Sequence, residues 1–295
     1  MTRITAALLL LLTTFFWGMT FVVVKDAIAR VGVFVFLSQR FLASFLILAA
    51  IAGWGGRRPD GGTLVRGVTL GAALFPVYAL QTIALRQTSA SNAAFLSGLG
   101  IVIVPVLSAL LLRQRTTGGL WAAIGLAVTG LLLLATDGRW ERTLNRGDLL
   151  SVACAFCIAV HLVLAARFAQ RGNVAWLTAL QIGVVALCSL VVAAIQGGQV
   201  FVWHPDILWQ LAFCILPATA FAFLALMTTQ KVLSPTHSAV ILCMEPVFAA
   251  GWAYLVIQER FTTVGYAGAG MIIVAMLLAE VVVNRCRTLG CGYRR

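Results

Sequence analysis

Charged residues are scarce in this sequence. Only 10% of its 295 residues are charged, against about 25% in a typical soluble domain, and the nine acidic residues are outnumbered by 21 basic ones. Because a soluble protein of this size could not cover its surface with so few charges, a soluble fold is excluded. Hydrophobic residues make up 61% of the chain and its mean hydropathy is +1.01, which indicates a protein that crosses a membrane several times.

Several functional motifs are also missing. No phosphate-binding loop of the type G-x-x-x-x-G-K occurs, so ATP is not the direct energy source, and no H-E-x-x-H zinc motif occurs either. Cys154 and Cys157 form a C-x-x-C pair, but they lie in an apolar run, which favours small core residues over a redox or metal site. The sequence therefore predicts no metal site and no cofactor.

The apolar runs are about 20 residues long and do not alternate with polar residues, so they predict helices and not the strands of a barrel. Ten such spans leave no room for a soluble module. The predicted fold is an all-α integral membrane protein with ten transmembrane helices. The predicted spans, numbered 1 to 10, are 6–24, 33–53, 67–85, 92–112, 120–136, 149–166, 175–196, 207–227, 237–257 and 264–283.

The basic residues indicate the orientation of the chain. The net charge of +12 comes from residues in short loops, a pattern typical of a protein embedded in a lipid bilayer and not of one that binds nucleic acid. With the N-terminus inside, 13 Lys and Arg residues fall on the cytoplasmic side and seven on the other. Both termini are therefore expected in the cytoplasm.

The two halves of the sequence resemble each other. Pro76 in span 3 and Pro217 in span 8 are 141 residues apart in similar apolar contexts, and the segments 88–94 and 233–239 match at a distance of 145. We expect a first repeat over residues 1–140, a second over 145–285 and a basic cytoplasmic tail over 286–295. Each repeat holds five spans, and because five is odd the second repeat enters the membrane with the opposite orientation. Such inverted repeats favour transport by alternating access around one central site.

Six short segments resemble the EamA domain of the drug/metabolite transporter superfamily. They are Trp17–Phe21, Arg40–Ala43, Ser89–Ala94, Glu245–Val247, Gln258–Arg260 and Gly265–Gly270. The resemblance covers nearly the whole chain.

That resemblance implies an inner-membrane carrier that exports amino acids or related small metabolites. It also implies a cavity lined by helices 1–4 and 6–9, with helices 5 and 10 at the periphery, where one of them is expected to form a homodimer contact. The first repeat departs from the family pattern at Ile101 and Gln114, where the second repeat has Pro246 and Glu259.

Polar residues within the spans are candidates for substrate binding, because they are costly in lipid unless they face protein or water. Together with nearby aromatic residues, the candidates are Trp17, Arg40, Tyr78, Gln81, Thr82, Asn92, Phe95, His161, Gln181 and Glu245.

The roles of the ionisable candidates stay open at the level of sequence. Arg40 is either a contact for a substrate carboxylate or a structural cation. Glu245 is a proton-coupling site, a counter-charge for an ammonium group, a partner of Arg40 or a cap for backbone amides freed where Pro246 bends the helix. His161 is either a substrate ligand or a structural histidine.

The remaining candidates are polar or aromatic. Tyr78, Gln81 and Thr82 form a polar stripe after Pro76, Gln181 is the repeat counterpart of Arg40, and Asn92 opens span 4. Trp17 and Phe95 supply apolar surface, although ordinary packing is the alternative for both.

Two other functional classes, an enzyme and a channel, fit the sequence less well than a transporter. An intramembrane serine protease would need a motif such as G-x-S-G around Ser97, which is absent, although Ser97, His161 and His237 supply the residue types. A channel would need a filter motif, and none is visible. The sequence therefore predicts a transporter and not an enzyme.

Overall fold

The structure, a computed structural model, describes residues 1–54, 56, 58–113, 116–136, 145–197, 205–258 and 260–288. Most of the predicted tail, residues 289–295, lies outside the described residues, as do Gln114 and Glu259.

Within the described residues, ten helices are long and apolar enough to cross a membrane, which confirms the predicted fold class. They are α1 (Arg3–Val31), α2 (Val33–Gly53), α3 (Gly61–Leu85), α4 (Ala90–Gly98 continued by Gly100–Leu112), α5 (Gly118–Thr136), α6 (Arg146–Ala169), α7 (Val174–Ile195), α8 (Leu208–Ile215, Leu216–Phe221 and Ala222–Thr229), α9 (Pro235–Leu242 continued by Met244–Ile257) and α10 (Thr263–Thr288). The chain is a multi-pass membrane protein.

Helix α1 extends further than its apolar run predicts, reaching Val31 and not ending near residue 24. The added turns carry charged residues whose side chains find partners. Lys25 donates to the carbonyl oxygen of Thr88 at 2.8 Å, and Asp26 accepts from Gln210 of α8 at 3.0 Å. These contacts keep the polar end of the helix folded beyond the apolar stretch.

The two repeats use the same local devices to shape α4 and α9. Ser89 and Ser234 cap the two helices by accepting hydrogen bonds from the backbone three residues later, at 3.1 and 3.2 Å. Each helix is then interrupted once, at Leu99 in α4 and at Cys243 in α9. Because each helix also consists of one short half followed by one longer half, the matched sequence segments adopt matched structures.

Helix packing is arranged symmetrically between the repeats. Helix α2 packs on its counterpart α7, and α5 packs on its counterpart α10; α1 packs on α9, as α6 packs on α4. Glycines permit the closest approaches, since a β-carbon on Gly130 would lie 2.6 Å from the carbonyl oxygen of Gly268. Helices α5 and α10 thus lie together at one edge of the bundle, and the homodimer contact through either of them stays a prediction.

Candidate functional site

A cavity lies between the two repeats. It is lined by α1, α3 and α4 of the first repeat and by α6, α8 and α9 of the second. Its volume is about 860 Å³, including the open space at its mouth, enough for several water molecules. The resemblance implied a lining by helices 1–4 and 6–9; here α2 and α7 stand behind the wall and support it.

Half of the ten candidate residues line this cavity. They are Trp17, Tyr78, Gln81, His161 and Glu245. The other five, Arg40, Thr82, Asn92, Phe95 and Gln181, are not part of the lining. Their roles in substrate binding stay predictions.

Of the charged residues that the structure describes, Glu245 is the only Asp, Glu, Lys or Arg that lines the cavity. It is the second residue after the interruption of α9, and the next residue, Pro246, has no backbone N–H to donate to Leu242. The carboxylate therefore lies at the start of a helical segment, where the helix dipole favours negative charge. Among the described residues, no hydrogen-bond donor and no cation within 4.0 Å pairs with it.

Tyr78 and Gln81 face the same cavity from α3, one helical turn apart. Within the described part of the chain, neither side chain forms a hydrogen bond. By contrast, the hydroxyls of Thr20 and Ser97 donate to carbonyl oxygens of their own helices, each at 2.7 Å. The cavity thus leaves four polar groups open to a ligand or to water: the carboxylate of Glu245, the amide of Gln81, the phenol of Tyr78 and Nδ1 of His161.

Arg40 is buried in α2, behind the cavity wall. Its Nε donates to Oγ1 of Thr219 at 2.8 Å and its Nη2 to the carbonyl oxygen of Ala218 at 3.4 Å. The guanidinium carbon lies 5.1 Å from the ring centres of both Phe41 and Tyr78, a favourable cation–π distance. No carboxylate of the described residues lies within 4.0 Å, so the geometry places Arg40 in a structural contact with α8.

The part of α8 that Arg40 contacts is a π-helix, Leu216–Phe221, which begins next to Pro217. A π-helical turn and a proline both disturb the regular hydrogen bonds of a helix. Side chains of the first repeat bind carbonyl oxygens within this turn and just before it: Trp17 donates to Ala218 at 2.9 Å and Ser44 to Ile215 at 3.2 Å. In the first repeat α3 contains Pro76 and remains α-helical, so this support is a feature of one repeat only.

His161 is held from α7. Its Nε2 lies 2.8 Å from Oε1 of Gln181, which is fully buried and whose amide nitrogen has no partner among the described residues. The imidazole ring also packs at 6.2 Å, edge to face, against Phe223. Gln181 therefore orients His161 at the cavity wall. Gln181 is the repeat counterpart of Arg40 in the first repeat.

Thr82, Asn92 and Phe95 have structural surroundings. Thr82 and Phe95 are buried, and Phe95 belongs to the main hydrophobic core. The backbone N–H of Asn92 donates to the Ser89 cap of α4.

Sequence reasoning missed Phe223, which is central to the site. Its ring centre lies 5.3 Å from that of Trp17, 6.0 Å from that of Tyr78 and 6.2 Å from that of His161. It follows Pro217 by six residues, as Thr82 follows Pro76. The repeat relation, applied to the polar stripe of α3, was the signal that could have identified it.

The geometry also bears on catalysis and metal binding. The Ser97 hydroxyl donates to Ala93 and Ala94, and His237 lies 2.8 Å from Glu280; these residues form no serine–histidine pair. In the part of the chain that the structure describes, no three His, Cys, Asp or Glu side chains come together as a metal site would require.

Comparison with known proteins adds three findings. The sequence pattern of the EamA-like transporter family matches residues 4–136 and 145–280. Two proteins of Archaeoglobus fulgidus, each described as an uncharacterized transporter, are similar: one is 29% identical over 95% of this chain and 87% of its own length, and the other 25% identical over 88% and 92%. A solved crystal structure shares the fold with a TM-score of 0.80 at 18% identity, over 96% of this chain and 99% of that one.

Proposed function

Because this chain belongs to the EamA-like transporter family, we propose that it is a secondary transporter that moves a small metabolite through the central cavity by alternating access. Two inverted five-helix repeats meet at the cavity, and each contributes three helices to its wall. Rocking of one repeat against the other exposes such a site to one side of the membrane at a time.

The observation that carries this proposal is a carboxylate that no described residue pairs with, held in a cavity between the repeats. Ionisable groups inside a membrane protein are costly and commonly mark substrate or ion pathways. Glu245 is held at the break of α9, so its environment changes when the helix segments on either side of the break move relative to each other.

The class of cargo, the direction of transport and the cellular location are part of the same proposal. Amino acids and related small metabolites are the cargo that the family resemblance implies, export is the implied direction, and the inner membrane with both termini in the cytoplasm is the implied location. The excess of basic residues on one side supports that orientation.

Flux measurements test the mechanism. Purified protein in liposomes is expected to give flux that saturates with substrate concentration, and unlabelled substrate on the far side is expected to accelerate the exchange of labelled substrate. Both properties follow from a site that must bind its cargo before the repeats rock. Protein-free liposomes give the background, and flux that rises linearly without saturation would support a channel instead.

A further inference from the structure

We infer, on the premise of the transport function proposed above, that the cargo is a small organic cation: it carries an amino or ammonium group and no free carboxylate. The inference names the cargo class of the central cavity and narrows the amino-acid class that the family resemblance implies.

The charge of the cavity wall is the first argument. Among the lining residues Glu245 is acidic and none is Lys or Arg. Arg40 lies behind the wall, where its guanidinium donates to Thr219 and Ala218 and lies 5.1 Å from the ring centres of Phe41 and Tyr78. A positively charged ligand beside Glu245 neutralises that carboxylate, whereas an anionic ligand there places a second negative charge next to it in a dry environment.

The aromatic rings of the wall are the second argument. Three aromatic residues line the cavity: Trp17, Tyr78 and Phe223. The ring centre of Phe223 lies 5.3 Å from that of Trp17 and 6.0 Å from that of Tyr78. Faces of aromatic rings attract ammonium groups and are used together with carboxylates to bind quaternary amines. The same rings offer apolar contact for an aliphatic or aromatic substituent of the cargo.

The hydrogen-bonding groups are the third argument. A primary ammonium group has three N–H donors. The carboxylate of Glu245, the amide oxygen of Gln81 and the phenol oxygen of Tyr78 are three acceptors that no described residue uses. A carboxylate of the cargo would find the neutral donors of Gln81 and Tyr78 opposite the negative charge of Glu245. Neutral His161, whose Nε2–H donates to Gln181, offers the cargo the acceptor Nδ1.

A binding experiment with matched ligands tests this inference. The full chain is purified in detergent, and its thermal stability is measured at neutral pH with leucine, with its decarboxylated form isopentylamine, with its deaminated form 4-methylpentanoate and with tetraethylammonium. We expect the two cations to raise the melting temperature in a saturable way, and 4-methylpentanoate and leucine to bind about tenfold or more weakly.

Two variants assign the effect to the cavity. Glu245→Gln keeps the size of the side chain and one acceptor oxygen but removes the charge, so the apparent affinity for the cations is expected to fall by about tenfold or more. Glu280→Gln, a carboxylate outside the cavity that contacts His237, is the matched control and is expected to bind the cations like the unmodified protein.

The outcomes separate this inference from the proposed function. Failure of both cations to bind, equal binding of 4-methylpentanoate, or cation binding that survives Glu245→Gln would each overturn the inference, even in a protein that shows saturable flux of another compound. Cation binding that depends on Glu245, in a protein whose flux never saturates, would contradict alternating access and leave the inferred ligand class intact.

Discussion

At the scale of single residues, the carboxylate of Glu245 has the most direct consequence for function. A side chain that binds a proton in one state of the cycle and cargo in another couples the two, and Glu245 faces the cavity with no partner among the residues that the structure describes. We therefore expect Glu245→Gln to remove the pH dependence of flux, because a neutral amide cannot exchange a proton. Initial rates of flux in liposomes, measured from about pH 6 to about pH 8, test this expectation.

The control for this prediction is Glu280→Gln, which changes a carboxylate distant from the cavity wall while its amide can still contact His237. Its pH profile is expected to match that of the unmodified protein. An unchanged pH profile for Glu245→Gln would remove the proton-coupling role from that residue.

Arg40 gives a stability prediction. Replacing it by Met keeps the length of the side chain but leaves the carbonyl oxygen of Ala218 and the hydroxyl of Thr219 without this donor. The carbonyl oxygen of Ala218 keeps its hydrogen bond from Trp17, so Thr219 is the group left without this donor, and we expect the free energy of unfolding to fall by about 1–3 kcal/mol. Thermal unfolding in detergent measures the change, and Arg86→Met, at an exposed position after α3, is the matched control.

If Arg40→Met and Arg86→Met lower the melting temperature equally, Arg40 does not stabilise α8. A loss of substrate binding in Arg40→Met without any loss of stability would instead support the substrate-carboxylate role that the sequence left open.

Single residues also show where sequence reasoning ends. A charge inside an apolar span identifies Arg40 and Glu245 as unusual from the sequence alone. Their partners cannot be identified in this way, because Thr219 lies 179 positions away from Arg40 and the π-helix that presents it has no simple sequence pattern. The position of Phe223 depends on packing in the same way.

At the scale of helices, hydrophobic length predicts which segments form, and polar contacts determine where they end. The second span was predicted at the residues where α2 begins and ends. The interruption of α9 is related to Pro246, which the sequence does show, but α4 is interrupted at Leu99 although Ile101 replaces that proline. Gly98 and Gly100 flank Leu99, and they weaken the helix there because glycine has the most backbone freedom to lose.

Glycine positions in the helices give a prediction at this scale. A β-carbon on Gly71 of α3 would lie 2.5 Å from the β-carbon of Val184 and 2.8 Å from the carbonyl oxygen of Gln181. Because the backbone of α7 cannot move aside easily, we expect Gly71→Ala to lower the free energy of unfolding by about 1–3 kcal/mol. The melting temperature in detergent reports it.

Gly125 of α5 is the matched control for Gly71. No atom lies within 4 Å of its built β-carbon, so Gly125→Ala is expected to leave stability unchanged or raise it by about 0.5–1 kcal/mol through helix propensity. Equal effects of the two substitutions would show that α3 and α7 are not as closely packed as described.

At the scale of the whole molecule, the repeats share a scaffold but differ in chemistry. The caps and interruptions of α4 and α9 correspond, whereas Glu245 stands opposite Gly100 in the repeat relation and Arg40 opposite Gln181. The sequence could predict the shared scaffold, because matched prolines and polar helix starts survive in both halves. The charge of the cavity comes from one repeat only, so the two halves cannot contribute equally to cargo binding.

An inverted arrangement makes a definite prediction for where the chain lies after five spans. In a bacterial host, a phosphatase fused after residue 144 is expected to be active and a green fluorescent protein fused there to be dark, since the odd number of helices places that junction outside the cytoplasm. A fluorescent protein fused after residue 295 is expected to be bright, because ten helices return the chain to the cytoplasm. Fluorescence at both junctions would mean an even number of spans in the first repeat, and the symmetric site between inverted halves would then have no structural basis.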